Sequence, residues 1–236
     1  MSIYHLHIPR TSGIYVKNNI IPHLITNNIK HFVSNRTIID KNKISESYFV
    51  GGHFGLMPLN YMDNPEVFCI IRNPIDRFIS YFNYTTAGQV RSNNDYIDKL
   101  EEWLYGEQAD IQSNSQSKFL TGSLNIDKFN KNIRVFQEAV RHNWFIEDYS
   151  LNLNKILENV DRFFCYSMDR HEEFIEDLNK SLFKKFNFKT FKHKDKANSS
   201  VNLGIYIDKK YYDRILELNE IDMEVYNYVQ KTKKRY

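Results

Sequence analysis

Short apolar runs alternate along the chain with longer stretches of mixed polarity. Residues 3–8 have β-type character and stop at a proline, and residues 48–50 stop at a pair of glycines. Residues 67–71 are apolar throughout, which is typical of a strand covered on both faces in a parallel sheet. Residues 160–166 are a further strand candidate. These runs predict the strands of a mainly parallel sheet.

The stretches between and after these runs carry apolar residues at the spacing of amphipathic helices. Residues 169–172 resemble a capping box in front of one of them. Asp222 falls on the apolar face of the last stretch, where a carboxylate needs hydrogen-bond donors. Strands that alternate with helices, followed by largely helical elements, predict an α/β fold. The apolar stripes are Ile97, Leu100 and Leu104; Phe129, Ile133, Phe136 and Val140; Phe174, Ile175, Leu178 and Leu182; and Tyr211, Ile215, Leu218, Val225 and Val229.

Length and composition narrow the classes of protein. The 236 residues predict one domain, residues 1–236, and 42% hydrophobic residues are enough for a sizeable core. A net charge of +3 excludes a histone-like polycation but allows a local basic pocket. The two cysteines, Cys69 and Cys165, exclude a disulfide framework and a zinc site made of thiolates alone. Without a signal-peptide layout, or an apolar run near the roughly 20 residues of a membrane span, we expect a soluble, cytoplasmic protein.

Residues 7–15 run from a strand through a polar turn into a predicted helix. Arg10, Thr11 and Ser12 supply one cation and two hydroxyl groups ahead of Gly13. Backbone N–H groups and the positive end of a helix meet at such a junction, which suits a phosphate. The segment lacks the G-x-x-x-x-G-K-[ST] spacing of an ordinary NTPase loop. A plain turn with solvated polar residues is the alternative.

Residues 69–82 form a second and more specific pattern. Arg72 ends the buried strand, Asn73 suits a helix N-cap, and Pro74 suits the first helical position. Arg72 and Ser80 can therefore converge on one anion, with a guanidinium fork and a hydroxyl donor. An exposed helix face with a surface arginine is the alternative. The helix has an apolar face, Ile75, Phe78, Ile79 and Phe82, and an opposite face, Arg77, Ser80, Tyr81 and Tyr84.

Histidines and lysines add weaker signals. His53 follows a pair of glycines at a strand end, and its ordinary pKa of about 6.5 suits a general base; a loop histidine bonded to backbone is the alternative. His5 and His7 share one strand face, but no third ligand is identifiable, so no metal site is predicted. Residues 191–200 interleave lysines with polar residues, as in a solvated loop or an anion-gripping one. No recognised module predicts nucleic-acid binding.

The order of these motifs resembles that of sulfotransferases that use 3′-phosphoadenosine 5′-phosphosulfate. Residues 7–13 resemble the family's H-I-P-K-T-G-G loop, which binds the 5′-phosphosulfate, and residues 52–54 resemble its glycine–histidine segment. Residues 72–81 resemble its R-[DN]-P-x-x-R-x-x-S-x-Y motif, which binds the 3′-phosphate. The resemblance is closest to the carbohydrate branch that includes the heparan 2-O and 6-O enzymes.

Two later segments extend the resemblance. Residues 114–122 are similar to the family's N-x-Q-x-[RK]-x-L-x-G stretch. Residues 198–200, followed by residues 218–226, resemble its closing N-x-x-D-x-x-x-Y helix. In that helix the resemblance gives Asp222 a structural hydrogen bond and no part in catalysis.

The resemblance implies a P-loop NTPase-like sandwich, with helices on both faces of a mainly parallel sheet and a helical C-terminal part. It implies transfer of a sulfuryl group to an acceptor hydroxyl, on a glycan or a small molecule, without a metal (EC 2.8.2 class). His53 would be the general base, while Arg10 and the loop N–H groups would stabilise the leaving phosphate. The implied donor-binding residues are Pro9, Arg10, Thr11, Ser12, Gly13, Ile14, Tyr15, Arg72, Ser80, Lys196, Asn198 and Ser199.

The first loop departs from the family pattern. Arg10 stands in place of the family's lysine, Ser12 in place of its first glycine, and residues 14–15 in place of hydroxyl residues. This departure keeps a non-catalytic glycan- or anion-binding relative open as an alternative. A nucleotide-dependent P-loop kinase is a second alternative because such kinases share the implied fold, but the loop has no lysine–hydroxyl end for magnesium, which disfavours it.

The acceptor is not identified by the sequence. A polysaccharide, a glycolipid, a small metabolite and a tyrosine all stay open. Animal relatives carry a Golgi membrane anchor that this sequence does not show, so we expect a bacterial or viral cytoplasmic protein. Four aromatic residues suit either stacking on sugar rings or the core of a helical insert: Tyr84, Tyr96, Trp103 and Tyr105.

Overall fold

A five-stranded parallel sheet lies at the centre of the protein. The computed structural model describes residues 2–33, 38–86, 88–136, 145–178, 180 and 207–232. The strands are β1 (Ile3–Leu6), β2 (His31–Val33), β3 (Phe49–Gly52), β4 (Glu66–Ile71), β5 (Ser123–Leu124), β6 (Ile146–Glu147) and β7 (Phe164–Ser167). The central sheet has the order β2-β3-β1-β4-β7, and β5 pairs with β6 in a separate antiparallel ladder.

Helices surround this sheet. They are α1 (Gly13–Thr26), α2 (Lys41–Ser45), α3 (Pro74–Thr86), α4 (Asn93–Tyr105), α5 (Glu107–Gln112), α6 (Ser115–Thr121), α7 (Ile126–Phe136), α8 (Leu153–Arg162), α9 (His171–Asp177), α10 (Lys209–Leu218) and α11 (Glu220–Lys231). Short 3-10 turns cover Met57–Asn60 and Met168–Arg170. The α/β class and the parallel sheet expected from the sequence are confirmed. Across the ranges described above, no helix is long and apolar enough to span a membrane.

Both faces of the sheet are covered because successive strand residues point to opposite sides. On one side, Leu6 and Ile71 pack in a cluster with Phe119 of α6 and with apolar residues of α8 and α11. On the other side, Phe68 packs with Leu24 of α1 and with residues of α9. A third cluster joins α3, α4 and α10 beyond the sheet. The continuous apolar character of residues 67–71 follows from this double cover.

The strand predicted over residues 160–166 begins later than expected. Asn152 caps α8 by accepting a hydrogen bond from the Lys155 N–H, and the helix then runs to Arg162. Ile156 and Val160 lie four residues apart on its buried face, so Val160 is a helical core residue. The strand is Phe164–Ser167, and its neighbour in the sheet is β4. The sequence also gave no indication of β2, which is only three residues long.

Two predictions about the later helices were wrong. Residues 169–172 do not form a capping box: the helix begins at His171 with no side-chain cap, and Asp169 accepts hydrogen bonds from Tyr226 and Gln230 of α11. The last amphipathic stretch is two helices, α10 and α11, which meet at Asn219. Asn219 is buried and bonded to other segments, which explains the break. Val140 and Leu182, named in the predicted stripes, lie outside the described residues.

The strand order fixes where a ligand site can form. The central strand β1 pairs with β3 on one side and β4 on the other, so the chain moves across the sheet in two directions from it. Ligands of open α/β sheets bind outside the carboxyl ends of the strands at such a switch point. The polar turn after β1 and the Arg72 segment after β4 both lie at that edge.

Candidate functional site

The turn between β1 and α1 has an unusual backbone. Arg10 and Ser12 have positive φ angles of 70° and 71°, a region that side chains other than glycine seldom occupy. The buried hydroxyl of Thr11 donates to the carbonyl oxygen of Ile8 at 2.8 Å, which holds the turn closed. Ser12 makes no side-chain cap on α1. The first N–H groups of α1 therefore do not bond to the Ser12 hydroxyl, and they point towards the same edge of the sheet.

His7 lies against the start of α1. A Cβ atom on Gly13 would stand 1.7 Å from Nε2 of His7, so this position accepts only glycine while the ring is there. The His7 ring also meets the ring of His53 edge to face, with centroids 4.1 Å apart. Because β1 and β3 are parallel neighbours, the residues after their carboxyl ends come together. The structure thus brings the His53 imidazole to the beginning of α1.

A third imidazole lies deeper on the same strand face. His5 stacks on His7 with centroids 5.2 Å apart, and on Phe68 with centroids 4.6 Å apart. Burial lowers the pKa of His5 to about 3, and the charge of His53 contributes to the same shift. His5 is therefore neutral at neutral pH. The expectation that His5 and His7 share a strand face is confirmed.

The segment after β4 has the local structure that the sequence predicts. Oδ1 of Asn73 accepts from the Ile75 N–H at 3.0 Å, and Pro74 is the first residue of α3. Gln116 of α6 holds the Arg72 backbone in both directions: its Oε1 accepts from the Arg72 N–H at 2.8 Å, and its Nε2 donates to the Arg72 carbonyl at 2.9 Å. Burial lowers the pKa of Arg72, and the carboxylates of Asp76 and Asp169 oppose that shift.

Arg10 joins the two motifs. Its Nε donates to Oγ of the buried Ser80 in α3 at 3.1 Å, across 70 positions of sequence. Its guanidinium carbon lies 4.8 Å from the ring centroid of Tyr84, within the range of a cation–π contact. Burial lowers the pKa of Arg10, and the positive charge of Arg72 lowers it further. The Arg10 guanidinium therefore lies at the Ser80 hydroxyl, and it is near enough to Arg72 for the charge of Arg72 to affect its pKa.

A buried polar network lies behind this region. Asp222 of α11 accepts from the N–H groups of Gln116 and Ser117, at 2.9 and 2.7 Å, and from the Ser117 hydroxyl at 2.6 Å. Its N–H donates to Asn114 Oδ1, and Asn219 Oδ1 accepts from the Asn114 N–H. The expected structural hydrogen bond of Asp222 is confirmed. The network fixes the start of α6, and through Gln116 it fixes Arg72.

The polar face predicted for α3 is buried as well. Arg77 has no exposed surface, and its Nη2 donates to the Gln112 carbonyl at 3.1 Å. Burial lowers the pKa of Arg77, while the charge of Asp222 opposes the shift. Ser80 and Tyr81 are also buried, and Tyr81 packs in the cluster that includes Tyr211 and Ile215 of α10. The alternative of an exposed helix face is therefore wrong for these three residues.

Of the four aromatic residues that suit either sugar stacking or a helical core, two are buried and two are exposed. Tyr96 and Trp103 are buried against Phe82, so they are core residues. Tyr84 and Tyr105 are 52% and 64% exposed. A guanidinium lies over each of these two rings: that of Arg10 over Tyr84 and that of Arg214 over Tyr105. Tyr84 is therefore in contact with a predicted site residue, Arg10.

The remaining predicted site residues are placed as follows. Pro9 is buried in the first turn, and Ile14 and Tyr15 follow Gly13 in the first turn of α1. Lys196, Asn198 and Ser199 lie outside the described residues. Sequence reasoning missed the contacts of His7 with Gly13 and of Tyr84 with Arg10. Within the described ranges, no group of three or more histidine, cysteine or acidic residues is arranged to hold a metal ion.

Comparison with known proteins does not assign a family. The chain matches no protein-family model, and no curated protein matches it. A functional assignment therefore depends on the residues and their geometry.

Proposed function

We propose that this protein is a sulfotransferase that transfers a sulfuryl group from 3′-phosphoadenosine 5′-phosphosulfate to an acceptor hydroxyl. A carbohydrate is the acceptor class that the proposal favours. The observation that carries the proposal is the hydrogen bond from Arg10 to Ser80. It joins the segment that resembles a phosphosulfate loop to the segment that resembles a 3′-phosphate motif. A donor with phosphate groups at both ends of its ribose needs both segments in one site.

The sheet supports the same proposal. The parallel sheet with β1 at its centre, and the polar strand-to-helix turn directly after β1, support the P-loop-like sandwich that the resemblance implies. Phosphate groups favour the amino end of α1, where backbone N–H groups and the helix dipole supply positive charge. In this proposal the 5′-phosphosulfate lies against residues 9–15, and the 3′-phosphate lies against Arg72 and Ser80.

The proposed reaction is a direct displacement at sulfur. His53 removes the acceptor's hydroxyl proton, and the acceptor oxygen forms a bond to sulfur. The bond from sulfur to the bridging oxygen breaks, and adenosine 3′,5′-bisphosphate leaves with the electron pair. A well-placed base contributes on the order of 10²–10⁴-fold to the rate. The proximity of His53 to the start of α1, through His7 and Gly13, supports this role.

The leaving group gains negative charge on its 5′-phosphate as the bond breaks. The N–H groups at the start of α1 are the groups that the proposal assigns to this charge. The resemblance adds the guanidinium of Arg10, but the structure directs that side chain to Ser80 of α3. Preorganised donors of this kind are worth roughly 3–4 kcal/mol each in acyl-transfer enzymes. Chemistry of this kind uses no metal ion, because the turn and the arginines supply the positive field.

The direct test is transfer of sulfate to an unidentified hydroxyl. The protein is incubated with donor and a panel of glycan extracts, glycolipids and small hydroxyl compounds, and mass spectrometry searches for a sulfate-sized mass gain. We expect the gain in the glycan arm with the wild-type chain and not with His53→Ala. Binding of the bisphosphate without transfer to any acceptor would favour the non-catalytic alternative. Thermal stabilisation by ATP and magnesium, and none by the bisphosphate, would favour a kinase.

A further inference from the structure

We propose that Arg10 determines donor specificity by binding the 3′-phosphate together with Arg72 and Ser80. The inference rests on the proposed function, and it decides which of the donor's phosphate groups Arg10 recognises. The turn of residues 7–12 then has two parts with different tasks. Its backbone, with the start of α1, faces the 5′ end of the donor, and its one cationic side chain reaches to the 3′ end.

The direction of the Arg10 side chain is the first argument. Its Nε lies 3.1 Å from Oγ of Ser80, which is the seventh residue of α3. The backbone at Arg10 adopts a positive φ of 70°, and the guanidinium stacks at 4.8 Å on Tyr84 in the same helix. Two contacts on one helix therefore hold this side chain at α3. The bond to Ser80 uses one of five N–H donors, and the planar group is suited to bidentate binding of a phosphate.

The charges at α3 are the second argument. Burial lowers the pKa of both guanidiniums, and the positive charge of Arg72 lowers that of Arg10 further. A phosphate monoester carries nearly two negative charges at neutral pH. One such group between the two guanidiniums would neutralise both and remove the repulsion. A donor without the 3′-phosphate leaves the charge repulsion on Arg10 in place, so we expect it to bind more weakly.

The position of the hydroxyl is the third argument. Ser80 is 3% exposed, and its Oγ accepts from Arg10, so the hydroxyl hydrogen stays available to donate to an oxygen anion. Two hydrogen bonds from the Gln116 side chain hold the Arg72 backbone in place. The site thus has donors from β1's turn, from the end of β4 and from α3. Three separate elements define one phosphate position.

The test compares three ligands on four proteins. Adenosine 3′,5′-bisphosphate and its 3′- and 5′-monophosphates are titrated by calorimetry, with competition against the bisphosphate for weak ligands. The proteins are the wild-type chain, Arg10→Ala, Arg10→Lys and the control Arg162→Ala. The control removes the same charge from the exposed end of α8, before β7 and away from the carboxyl edge of the sheet.

We expect Arg10→Ala to weaken the bisphosphate and the 3′-monophosphate by between about tenfold and 100-fold, as for loss of hydrogen bonds to a charged group. The 5′-monophosphate should change less than threefold. Arg10→Lys keeps the charge without the planar fork, so it should fall between wild type and alanine. Arg162→Ala should bind all three ligands as the wild type does.

Several results would overturn the inference. Equal losses for the two monophosphates, or a loss confined to the 5′-monophosphate, would assign Arg10 to the other end of the donor. Unchanged binding by Arg10→Ala would remove Arg10 from the site. In both cases the wild type still binds the bisphosphate, and the proposed function survives. If the wild type binds none of the three ligands, the proposed function fails and the inference fails with it. Should Arg10→Ala not fold, the lysine variant and Ser80→Ala carry the same comparison.

Discussion

Replacing Asp222 by alanine should destabilise the protein more than any single surface substitution. Its carboxylate is fully buried and accepts three hydrogen bonds from the first turn of α6, two from N–H groups and one from the Ser117 hydroxyl. Gln116 and Ser117 are themselves buried, so their donor groups lie away from the solvent. The negative charge also lies at the positive end of a helix, where it is stabilising.

The magnitude follows from the number of donors left without an acceptor. A buried donor that loses its partner costs about 1–3 kcal/mol, and breaking a buried charge interaction costs about 3–5 kcal/mol. We therefore expect Asp222→Ala to lower the free energy of unfolding by about 4 kcal/mol. Asparagine keeps the oxygen that serves both groups of Ser117 and loses the one that serves Gln116. Asp222→Asn should therefore cost about 2 kcal/mol.

Denaturation in guanidinium chloride, followed by circular dichroism and extrapolated linearly, measures these losses. Glu224→Ala is the matched control because it removes a carboxylate from an exposed position of the same helix, and it should stay within about 0.5 kcal/mol of the wild type. We expect the loss of unfolding free energy to be largest for Asp222→Ala, smaller for Asp222→Asn and smallest for Glu224→Ala. If Asp222→Ala loses less than about 1 kcal/mol, or no more than the control, the hydrogen bonds from α6 to Asp222 do not stabilise the fold.

Three further predictions concern the histidines at the carboxyl edge of the sheet. His5 has a pKa of about 3 in the fold and about 6.5 in the unfolded chain, so the unfolded chain binds more protons between these values and stability falls as pH drops below 6.5. Between pH 7.5 and pH 5 the free energy of unfolding should fall by about 2 kcal/mol because of His5, and denaturation of the wild type at the two pH values measures this loss. His5→Phe should lose that part of the pH dependence. An unchanged pH dependence in His5→Phe would contradict a lowered pKa of His5 as its cause. Gly13→Ala should weaken bisphosphate binding at least about fivefold, because the new Cβ would meet the His7 ring at 1.7 Å. Adding His7→Ala to the same chain should restore most of the lost affinity. Equal losses of affinity with and without the His7 side chain would exclude this contact as the cause. His53→Ala should lower sulfate transfer by on the order of 10²–10⁴-fold with bisphosphate affinity within about threefold of wild type, and unchanged turnover would exclude His53 as the base.

Several features could be predicted because the information for them is local. The cap at Asn73 and the position of Pro74 depend on residues within one turn of helix. The shared face of His5 and His7 follows from the two-residue period of a strand. The need of Asp222 for donors follows from its place on an apolar helix face. None of these statements requires knowledge of which elements become neighbours.

Other features depend on which elements meet, so no local pattern contains them. The sequence predicted Arg10 and Ser80 as site residues, but only the packing of the β1 turn against α3 brings them within 3.1 Å. Arg77 belongs to a helix face that the sequence predicts to be polar, yet it has no exposed surface and its Nη2 donates to the Gln112 carbonyl at the end of α5.

The division of the last helical stretch at Asn219 has a similar cause. Oδ1 of Asn219 accepts from the N–H of Asn114, 105 positions away. A continuous amphipathic pattern does not predict this distant partner. The sequence by itself determined the parallel α/β character of the central sheet, the cap at Asn73 and the chemical types of the site residues, because periodicity and short-range bonds specify them. Only the tertiary structure decided their partners, because burial and charge depend on surfaces contributed by distant segments of the chain.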